Sequence, residues 1–241
     1  MGSRFLQRWK DSLVMVINLL IPPVCLICHE ALTESKSVLC EACTLQLNTI
    51  SSNYCPKCGT PMPEEACDTC AQTEFSFDFA RSVFRYSEGM KQLIHELKYN
   101  RRLKVAGFLA EGMVEYLQAH PEFKDFDSIS AVPLHTVRKR ERGFNQSELI
   151  ARHIARRLNL HYISPVQRSR YTSSQTRLHR DDRLGNLKGA FKLARKTPKL
   201  LNRRIILVDD IFTTGSTINE VSGVLKASGS LQVAGLTAAR A

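Results

Sequence analysis

Four Cys-x-x-Cys pairs crowd into residues 25–70 of this 241-residue chain, and no cysteine occurs elsewhere. Two intervening residues let both thiolates of a pair reach one metal ion from a single tight turn, and two pairs complete a tetrahedral all-thiolate zinc site. Eight sulfurs therefore predict two structural zinc ions with no open position for catalysis. The predicted ligands are Cys25, Cys28, Cys40, Cys43, Cys55, Cys58, Cys67 and Cys70.

The spacing does not decide whether the pairs combine consecutively or interleave. We favour two consecutive zinc ribbons, because the spans from Cys28 to Cys40 and from Cys58 to Cys67 are each short enough for one hairpin. Gly59 directly after Cys58 fits a knuckle in which the backbone turns closely behind a ligand. A thioredoxin-like redox pair is the alternative for a single Cys-x-x-Cys, but four pairs in succession argue against it.

A disulfide framework is the other use of eight cysteines, and it needs an oxidising compartment. The apolar run at residues 13–21 superficially resembles a secretion signal. However, Asn18 interrupts the run, Pro22-Pro23 follows it, and no small-residue cleavage site precedes Cys25. The run is also shorter than the roughly 20 residues of a membrane span. We therefore expect a reduced, cytoplasmic protein.

The chain divides into three predicted parts. Residues 1–23 form an amphipathic N-terminal helix, residues 24–74 the double zinc ribbon, and residues 75–241 a larger domain. The apolar stripe of the first helix favours packing on the rest of the protein, and peripheral membrane association is the alternative. The stripe consists of Phe5, Trp9, Leu13, Val16, Ile17 and Leu20.

The larger domain alternates between strand and helix patterns, which predicts an open, mostly parallel α/β sheet. A phenylalanine-rich stretch at residues 75–86 indicates strands. Further strands are predicted at 129–134, 190–193, 205–208 and 231–236, and helices at 87–99, 103–119, 146–158 and 214–227.

The most informative segment begins with the predicted buried strand at residues 205–208. Asp209 and Asp210 follow at its C-terminal end, where open α/β sheets bind ligands. Residues Thr213, Thr214, Gly215, Ser216 and Thr217 then offer backbone N–H groups and hydroxyls at the start of a helix, as a phosphate site requires. Carboxylates accept hydrogen bonds from a vicinal diol, so this order predicts a sugar phosphate. The alternative is a Thr-capped turn with solvated acids.

This segment resembles the signature of type I phosphoribosyltransferases, which bind phosphoribosyl pyrophosphate (PRPP). The resemblance implies that Asp209 and Asp210 hold the ribose hydroxyls, that residues 213–217 wrap the 5-phosphate, and that Mg²⁺ accompanies PRPP. It also implies that Val132-Pro133-Leu134-His135, at the end of the strand predicted at 129–134, occupies the place of the pyrophosphate-binding loop. The residues assigned to pyrophosphate are Lys98, Pro133, Leu134, His135, Arg138 and Arg142, with Lys139 and Arg140 beside them.

The whole chain is similar to the ComF family of bacterial competence proteins, related to ComFC and GntX, which join a double zinc ribbon to a phosphoribosyltransferase domain. Two motifs support this match, Leu97-Lys98-Tyr99 and Arg142-Gly143-Phe144-Asn145-Gln146. A third series lies where phosphoribosyltransferases have a mobile loop, although its composition also fits a plain surface loop. That series is Arg170, Thr172, Gln175, Leu178, Arg183, Asn186 and Gly189-Ala190-Phe191.

Two functions remain open. The resemblance implies a glycosyltransferase that moves a phosphoribosyl group to an unidentified nitrogen acceptor during DNA uptake. The alternative is a non-catalytic competence factor that senses PRPP or a nucleotide and binds single-stranded DNA or a helicase-like partner.

Charge does not choose between these functions. The formal charge is +11, and residues 135–204 contain 19 Lys and Arg against four acids. A positive field attracts nucleic acid and phosphorylated small molecules alike. Phe144, His153, Tyr162 and Tyr171 are the candidate stacking residues for DNA, although isolated aromatics are more often part of a core.

Overall fold

The computed structural model describes residues 22–34, 37–50, 53–61, 67–170, 187–197 and 199–241. The helix predicted at residues 4–21 lies outside these ranges. The described helices are α1 (Glu41–Leu45), α2 (Asp68–Gln72), α3 (Glu88–Tyr99), α4 (Lys104–Ala119), α5 (Thr136–Arg142), α6 (Gln146–Leu158) and α7 (Ser216–Ala227). The strands are β1 (Phe79–Arg85), β2 (Ser128–Ala131), β3 (His161–Tyr162), β4 (Val166–Arg168), β5 (Phe191–Leu193), β6 (Arg204–Phe212) and β7 (Gln232–Arg240).

Five strands form one sheet in the order β1-β7-β6-β2-β3, and every neighbouring pair is parallel. β4 and β5 form a separate antiparallel pair. The open, mostly parallel α/β sheet is therefore confirmed, and its central strands β6 and β7 are the longest, at nine residues each. Ligands of such sheets bind beyond the carboxyl ends of the strands.

Side chains of β6 alternate between two apolar layers. Ile206 and Val208 belong to a core with α3, α4 and α6, whereas Ile205 and Leu207 belong to a core with α7. This period of two is the pleat of a strand buried on both faces, which explains why residues 205–208 read as a continuous apolar run.

Each zinc ribbon adds residues to a different one of these layers. Cys25 and Cys43 pack in the core that contains α3 and α4, and Cys55 and Cys58 pack in the core that contains α7. The segment between the ribbons also runs antiparallel along the edge strand β1, where the Ile50 amide donates to the Val83 carbonyl at 2.8 Å. The ribbons are thus built into the larger domain.

Several predicted boundaries were wrong. β2 ends at Ala131, so Pro133 and Leu134 lie beyond the strand. β6 continues to Phe212, so the two acids lie within the strand and do not follow it. The ladder to β7 extends that far, pairing Phe212 with Arg240, and supplies hydrogen bonds to the longer strand. The last helix begins at residue 216, two residues later than predicted.

Candidate functional site

The eight cysteines form two separate clusters, and the predicted consecutive pairing is confirmed. Within each cluster the four sulfur atoms lie within 4.8 Å of one another, and none of the eight cysteines forms a disulfide. Adjacent sulfurs such as those of Cys28 and Cys40, or of Cys58 and Cys67, are 3.6 Å apart. A tetrahedral zinc with sulfur at about 2.3 Å places its ligands roughly 3.8 Å apart, so both clusters fit zinc.

Asp209 and Asp210 lie near the carboxyl end of β6, where helix α6 meets the sheet. The Ser147 hydroxyl donates to Asp209 Oδ1 at 2.8 Å, and Gln146 Nε2 donates to Asp210 Oδ1 at 3.3 Å. Lys98, near the end of α3, forms an ion pair with Asp210. The structure thus brings together three residues that the sequence assigned to one ligand.

The two carboxyl groups differ in acidity. Burial raises the pKa of Asp209 to about 7, and the negative charge of Asp210 adds to the increase, against the hydrogen bond from Ser147. Burial acts in the same direction on Asp210, but the charge and hydrogen bond of Lys98 outweigh it and hold the pKa of this carboxyl below its ordinary value. At neutral pH, therefore, Asp210 is the permanent carboxylate and Asp209 exchanges a proton.

We expect Asp209→Asn to stabilise the protein at pH 8 and to change its stability little at pH 4. The pKa of Asp209 is near 3.9 in the unfolded chain and about 7 in the fold, so the folded state binds more protons between these values. The stability contributed by this group therefore falls as pH rises from about 4 to 7. Asparagine does not ionise, so the variant keeps this stability as pH rises. We expect its free energy of unfolding at pH 8 to exceed that of the unaltered protein by about 1–3 kcal/mol.

Denaturant unfolding of both proteins at pH 4, 6 and 8 measures this difference. Asp125→Asn is the matched control, because Asp125 is an exposed acid whose side chain pairs with Arg204. A gain for Asp209→Asn that is equal at all three pH values would contradict the assigned protonation.

The basic residues predicted for pyrophosphate gather on one side of the acids. Arg142 Nη1 donates to Gln146 Oε1 at 2.5 Å, and Gln146 in turn donates to Asp210, so Arg142 is linked to the acid pair. A cleft of about 190 Å³ adjoins them. Its lining residues are Lys98, Tyr99, Arg101, Arg138, Glu141 and Arg142.

The loop predicted to bind pyrophosphate is fixed to helix α6 by Asn145. Its side-chain amide donates to the Val132 carbonyl at 2.9 Å, and its side-chain oxygen accepts from the Ser147 amide at 3.1 Å, which caps α6. Pro133 and Leu134 follow Val132, and His135 caps α5 by accepting from the Val137 amide. The predicted loop therefore connects β2 to a short helix that presents Arg138 and Arg142.

Residues 213–217, which we call the phosphate loop, comprise the turn between β6 and α7 and the first two residues of α7. Gly215 caps α7 with φ of +78°, a conformation that glycine adopts without strain. The Thr214 and Ser216 hydroxyls are 2.8 Å apart, and Ser216 begins the helix. Hydroxyls and backbone N–H groups at a helix N-terminus suit a phosphate dianion.

Gly215→Ala should weaken binding of ribose 5-phosphate by at least about tenfold, because a Cβ there would lie 2.5 Å from Phe212 Cζ and the backbone has positive φ. Calorimetric titration with ribose 5-phosphate measures the effect. Gly107→Ala in α4 is the matched control, since nothing lies within 4 Å of its added Cβ. Equal affinities for the two variants would contradict the role given to this turn.

Sequence reasoning missed Gln146, Ser147 and Arg168 as site residues. Gln146 and Ser147 were noted only as part of a motif or a helix, and their contacts to the acids depend on the packing of α6 against β6. Burial lowers the pKa of Arg168, the charge of Arg138 lowers it further, and Asp209 opposes both, so Arg168 lies near the same groups. No sequence signal indicated this, because strand β4 was not predicted.

The mobile-loop and DNA-stacking predictions are only partly covered by the described residues. Arg170 donates to the Lys188 carbonyl at 3.2 Å, whereas Thr172, Gln175 and Arg183 lie outside the described residues, as does Tyr171. The other candidates for stacking on DNA bases contact other parts of the fold. Phe144 and Tyr162 are half-buried against the core, and His153 bonds to Glu111 at 2.6 Å.

Two family models match this chain. A double zinc ribbon domain matches residues 16–73, and a phosphoribosyl transferase domain matches residues 106–239. These models agree with the two cysteine clusters and with the α/β sheet that holds the acid pair and the phosphate loop. The class of protein is therefore a double zinc ribbon joined to a phosphoribosyl transferase domain.

Similar proteins match over nearly the whole chain. Competence protein F of Haemophilus influenzae is 33% identical over 223 residues, covering 89% of this chain and 96% of that protein. DNA utilization protein YhgH of Escherichia coli K12 is 33% identical over 221 residues with the same coverage. Competence protein ComFC of Streptococcus pneumoniae is 26% identical over 226 residues, covering 87% and 96%. This chain belongs to the ComF family.

None of the helices in the described ranges combines the length and the apolar character that crossing a bilayer requires.

Proposed function

We propose that this chain binds PRPP at the carboxyl ends of β2 and β6, and that it acts in DNA uptake during natural transformation. The observation that supports this most directly is the pair of acids, Asp209 partly buried and Asp210 buried, shortly before the phosphate loop on the same strand-to-helix connection. Its relatives are named as competence and DNA utilization proteins, which supports the biological role.

Each group of residues has a distinct task in this proposal. Asp209 and Asp210 accept hydrogen bonds from the ribose 2′- and 3′-hydroxyls, and the phosphate loop binds the 5-phosphate. Lys98, Arg138 and Arg142 face the pyrophosphate, with the Pro133-Leu134-His135 segment beneath it. Arginine suits this task because its planar donors pair with phosphate oxygens. Mg²⁺ arrives with PRPP and offsets the charge of its pyrophosphate oxygens.

The Lys98 ammonium group already forms an ion pair with the Asp210 carboxylate before any ligand binds. A ribose hydroxyl must therefore share or replace this contact, and the released ammonium group can then turn to the pyrophosphate. Because Lys98 contacts both the acid pair and the basic cleft, it lies where the two halves of PRPP join.

The chemistry we propose is phosphoribosyl transfer. A nitrogen nucleophile forms a bond to ribose C1 while the bond from C1 to the pyrophosphate oxygen breaks, and pyrophosphate leaves with both bonding electrons. Positive charge develops on the sugar ring, where the carboxylates of the acid pair stabilise it. The nitrogen loses its proton to solvent or to Asp209, whose pKa of about 7 suits exchange at neutral pH.

Two measurements test this proposal in order. Calorimetric titration with PRPP and Mg²⁺ should show one site per chain, and the absence of any binding would contradict the proposed ligand. Release of pyrophosphate in the presence of a panel of nitrogen bases then decides whether transfer occurs. Binding without release by any base would favour the sensing role over catalysis.

The second candidate is a non-catalytic factor that senses PRPP or a nucleotide while it binds single-stranded DNA or a helicase-like partner in the cytoplasm. One observation favours a DNA surface. Tyr99 is 63% exposed at the edge of the basic cleft, with the Arg142 guanidinium 5.6 Å from its ring centroid. Exposed aromatic rings beside arginines suit stacking of unpaired bases.

Titration with oligo-dT over a salt series tests this candidate. Binding should weaken steeply with salt, because phosphate contacts release counterions, and Tyr99→Ala should weaken it further by about tenfold. PRPP binding that survives in Tyr99→Ala would show that the two ligands use separable sites.

A further inference from the structure

Two side chains connect the second zinc cluster to the phosphate loop. Arg240 ends β7 and pairs in register with Phe212, which ends β6. The backbone amide of Ala241 also donates to the Phe212 carbonyl at 3.0 Å. These two residues therefore occupy the carboxyl edge of the sheet, with the cluster on one side and the phosphate loop on the other.

Arg240 binds the cluster through its guanidinium group. Nη1 donates to the Cys58 carbonyl at 2.8 Å, and Nη2 lies 3.9 Å from Cys58 Sγ. Nη2 also donates to the Thr60 hydroxyl, which is 2.9 Å from the same sulfur. Arg240 is only 9% exposed.

The charge of the filled cluster explains why a buried arginine is stable there. Four thiolates and one Zn²⁺ leave a net charge of about −2 next to the guanidinium. Among the described residues, Arg240 has no carboxylate partner, so in the filled cluster the Cys58 thiolate would be the anionic group that it contacts. A buried cation without such a partner is costly, so the orientation of Arg240 depends on the filled cluster.

The other end of this connection is the phosphate loop. The Arg240 guanidinium lies 4.4 Å from the centroid of the Phe212 ring, which is itself almost fully buried. The same ring contacts Gly215 so closely that an added Cβ would meet Phe212 Cζ at 2.5 Å. A shift of Arg240 therefore moves the ring that supports the loop.

We propose that Arg240 is a positioning residue that couples zinc binding at the second cluster to 5-phosphate binding at residues 213–217. This inference rests on the proposed function, since it concerns the phosphate end of the same ligand. Coupling of two sites is reciprocal in free energy, so zinc at the cluster strengthens phosphate binding and phosphate strengthens zinc binding by the same factor.

Arg240→Lys tests the inference, because lysine keeps the charge and loses both the two-point hydrogen bonding and the stacking on Phe212. We expect the affinity for ribose 5-phosphate to fall about tenfold and the affinity for pyrophosphate to stay within about twofold. A general loss of structure would lower the affinities for ribose 5-phosphate and for pyrophosphate together. Zinc content of the variant is measured alongside.

Arg81→Lys is the matched control. Arg81 is as buried as Arg240, with 8% of its surface exposed. Its Nη1 donates to the Pro56 carbonyl at 2.9 Å, which connects the same ribbon to the sheet, and its guanidinium stacks on the Tyr54 ring. In the described part of the chain, the hydrogen-bond, ion-pair and ring partners of Arg81 do not include Phe212, so its replacement should leave ribose 5-phosphate affinity nearly unchanged. Equal losses in Arg81→Lys and Arg240→Lys would overturn the inference.

Zinc affinity of the unaltered protein gives a second readout that needs no folded variant. In an equilibrium competition against a colorimetric chelator, ribose 5-phosphate should raise the affinity for one of the two zinc ions about tenfold and leave the other unchanged. Zinc affinities that do not respond to ribose 5-phosphate would overturn the inference. If the unaltered protein does not bind ribose 5-phosphate in calorimetry, the proposed function fails first and this inference fails with it.

Discussion

Asp210→Asn should lower the affinity for PRPP with Mg²⁺ by about 100-fold, which is the loss expected for about two charge-assisted hydrogen bonds. The Asp210 carboxyl is buried, and its low pKa keeps it charged throughout the physiological range. Asparagine keeps the shape but removes the charge that holds Lys98 and that, in the proposed function, accepts hydrogen bonds from the ribose. Calorimetric titration at pH 8 measures the change.

The control for this prediction is Asp78→Asn. Asp78 accepts from the Lys226 ammonium at 2.9 Å and from the Val233 amide at 2.7 Å, so it is also an acid held by a lysine and a second donor. Asp78 precedes β1 at the amino end of the sheet, away from the carboxyl ends where the acid pair lies. We expect PRPP affinity within about twofold of the unaltered protein. A loss below tenfold in Asp210→Asn would contradict the role assigned to this acid.

The order of the proposed PRPP site along the chain could be read from the sequence because it is local. A short apolar strand, two acids and a hydroxyl-rich turn lie within 13 residues, and their chemistry can be read without knowing what packs around them. The same holds for the zinc clusters, since each metal site is closed by two neighbouring cysteine pairs.

The partners of the acids could not be predicted, because they come from distant parts of the chain. Lys98, Gln146 and Ser147 reach Asp209 and Asp210 only once α3 and α6 pack against the sheet. The difference in pKa between the two acids depends on these contacts. A sequence of two adjacent aspartates does not show which one keeps its proton.

Short elements without an apolar pattern were also missed. Helix α5 buries none of its residues, and it is defined by the His135 cap and by Gly143 with φ of +84° at its end. Strand β4 was missed as well, because it pairs with the predicted strand β5 across more than 20 residues and no local hairpin signal marks Arg168. Elements of this kind form because the surrounding fold places them, and sequence periodicity carries little information about them.

The two zinc ribbons should differ in how much they stabilise the protein. Cys58 has no exposed surface and belongs to the core with α7, and its carbonyl accepts from Arg240. Gly59 next to it leaves no room for a side chain, because a Cβ there would lie 2.5 Å from the Ala80 carbonyl oxygen. Cys28, in contrast, is exposed. Loss of the second metal therefore disturbs the sheet directly.

Cys58→Ser should remove one of the two zinc ions and lower the melting temperature by about 10 °C. A structural zinc ion contributes several kcal/mol to the free energy of unfolding. Each kcal/mol shifts the melting temperature of a domain of this size by about 2–4 °C. Cys25→Ser is the matched variant, because Cys25 of the first cluster is also fully buried. It should remove one zinc ion as well, with a smaller fall in melting temperature. Elemental analysis counts the metal, and thermal unfolding followed by circular dichroism gives the midpoint. Equal falls for the two variants would contradict the unequal coupling of the ribbons to the sheet, since among the described residues it is the second cluster that Arg240, at the end of β7, binds.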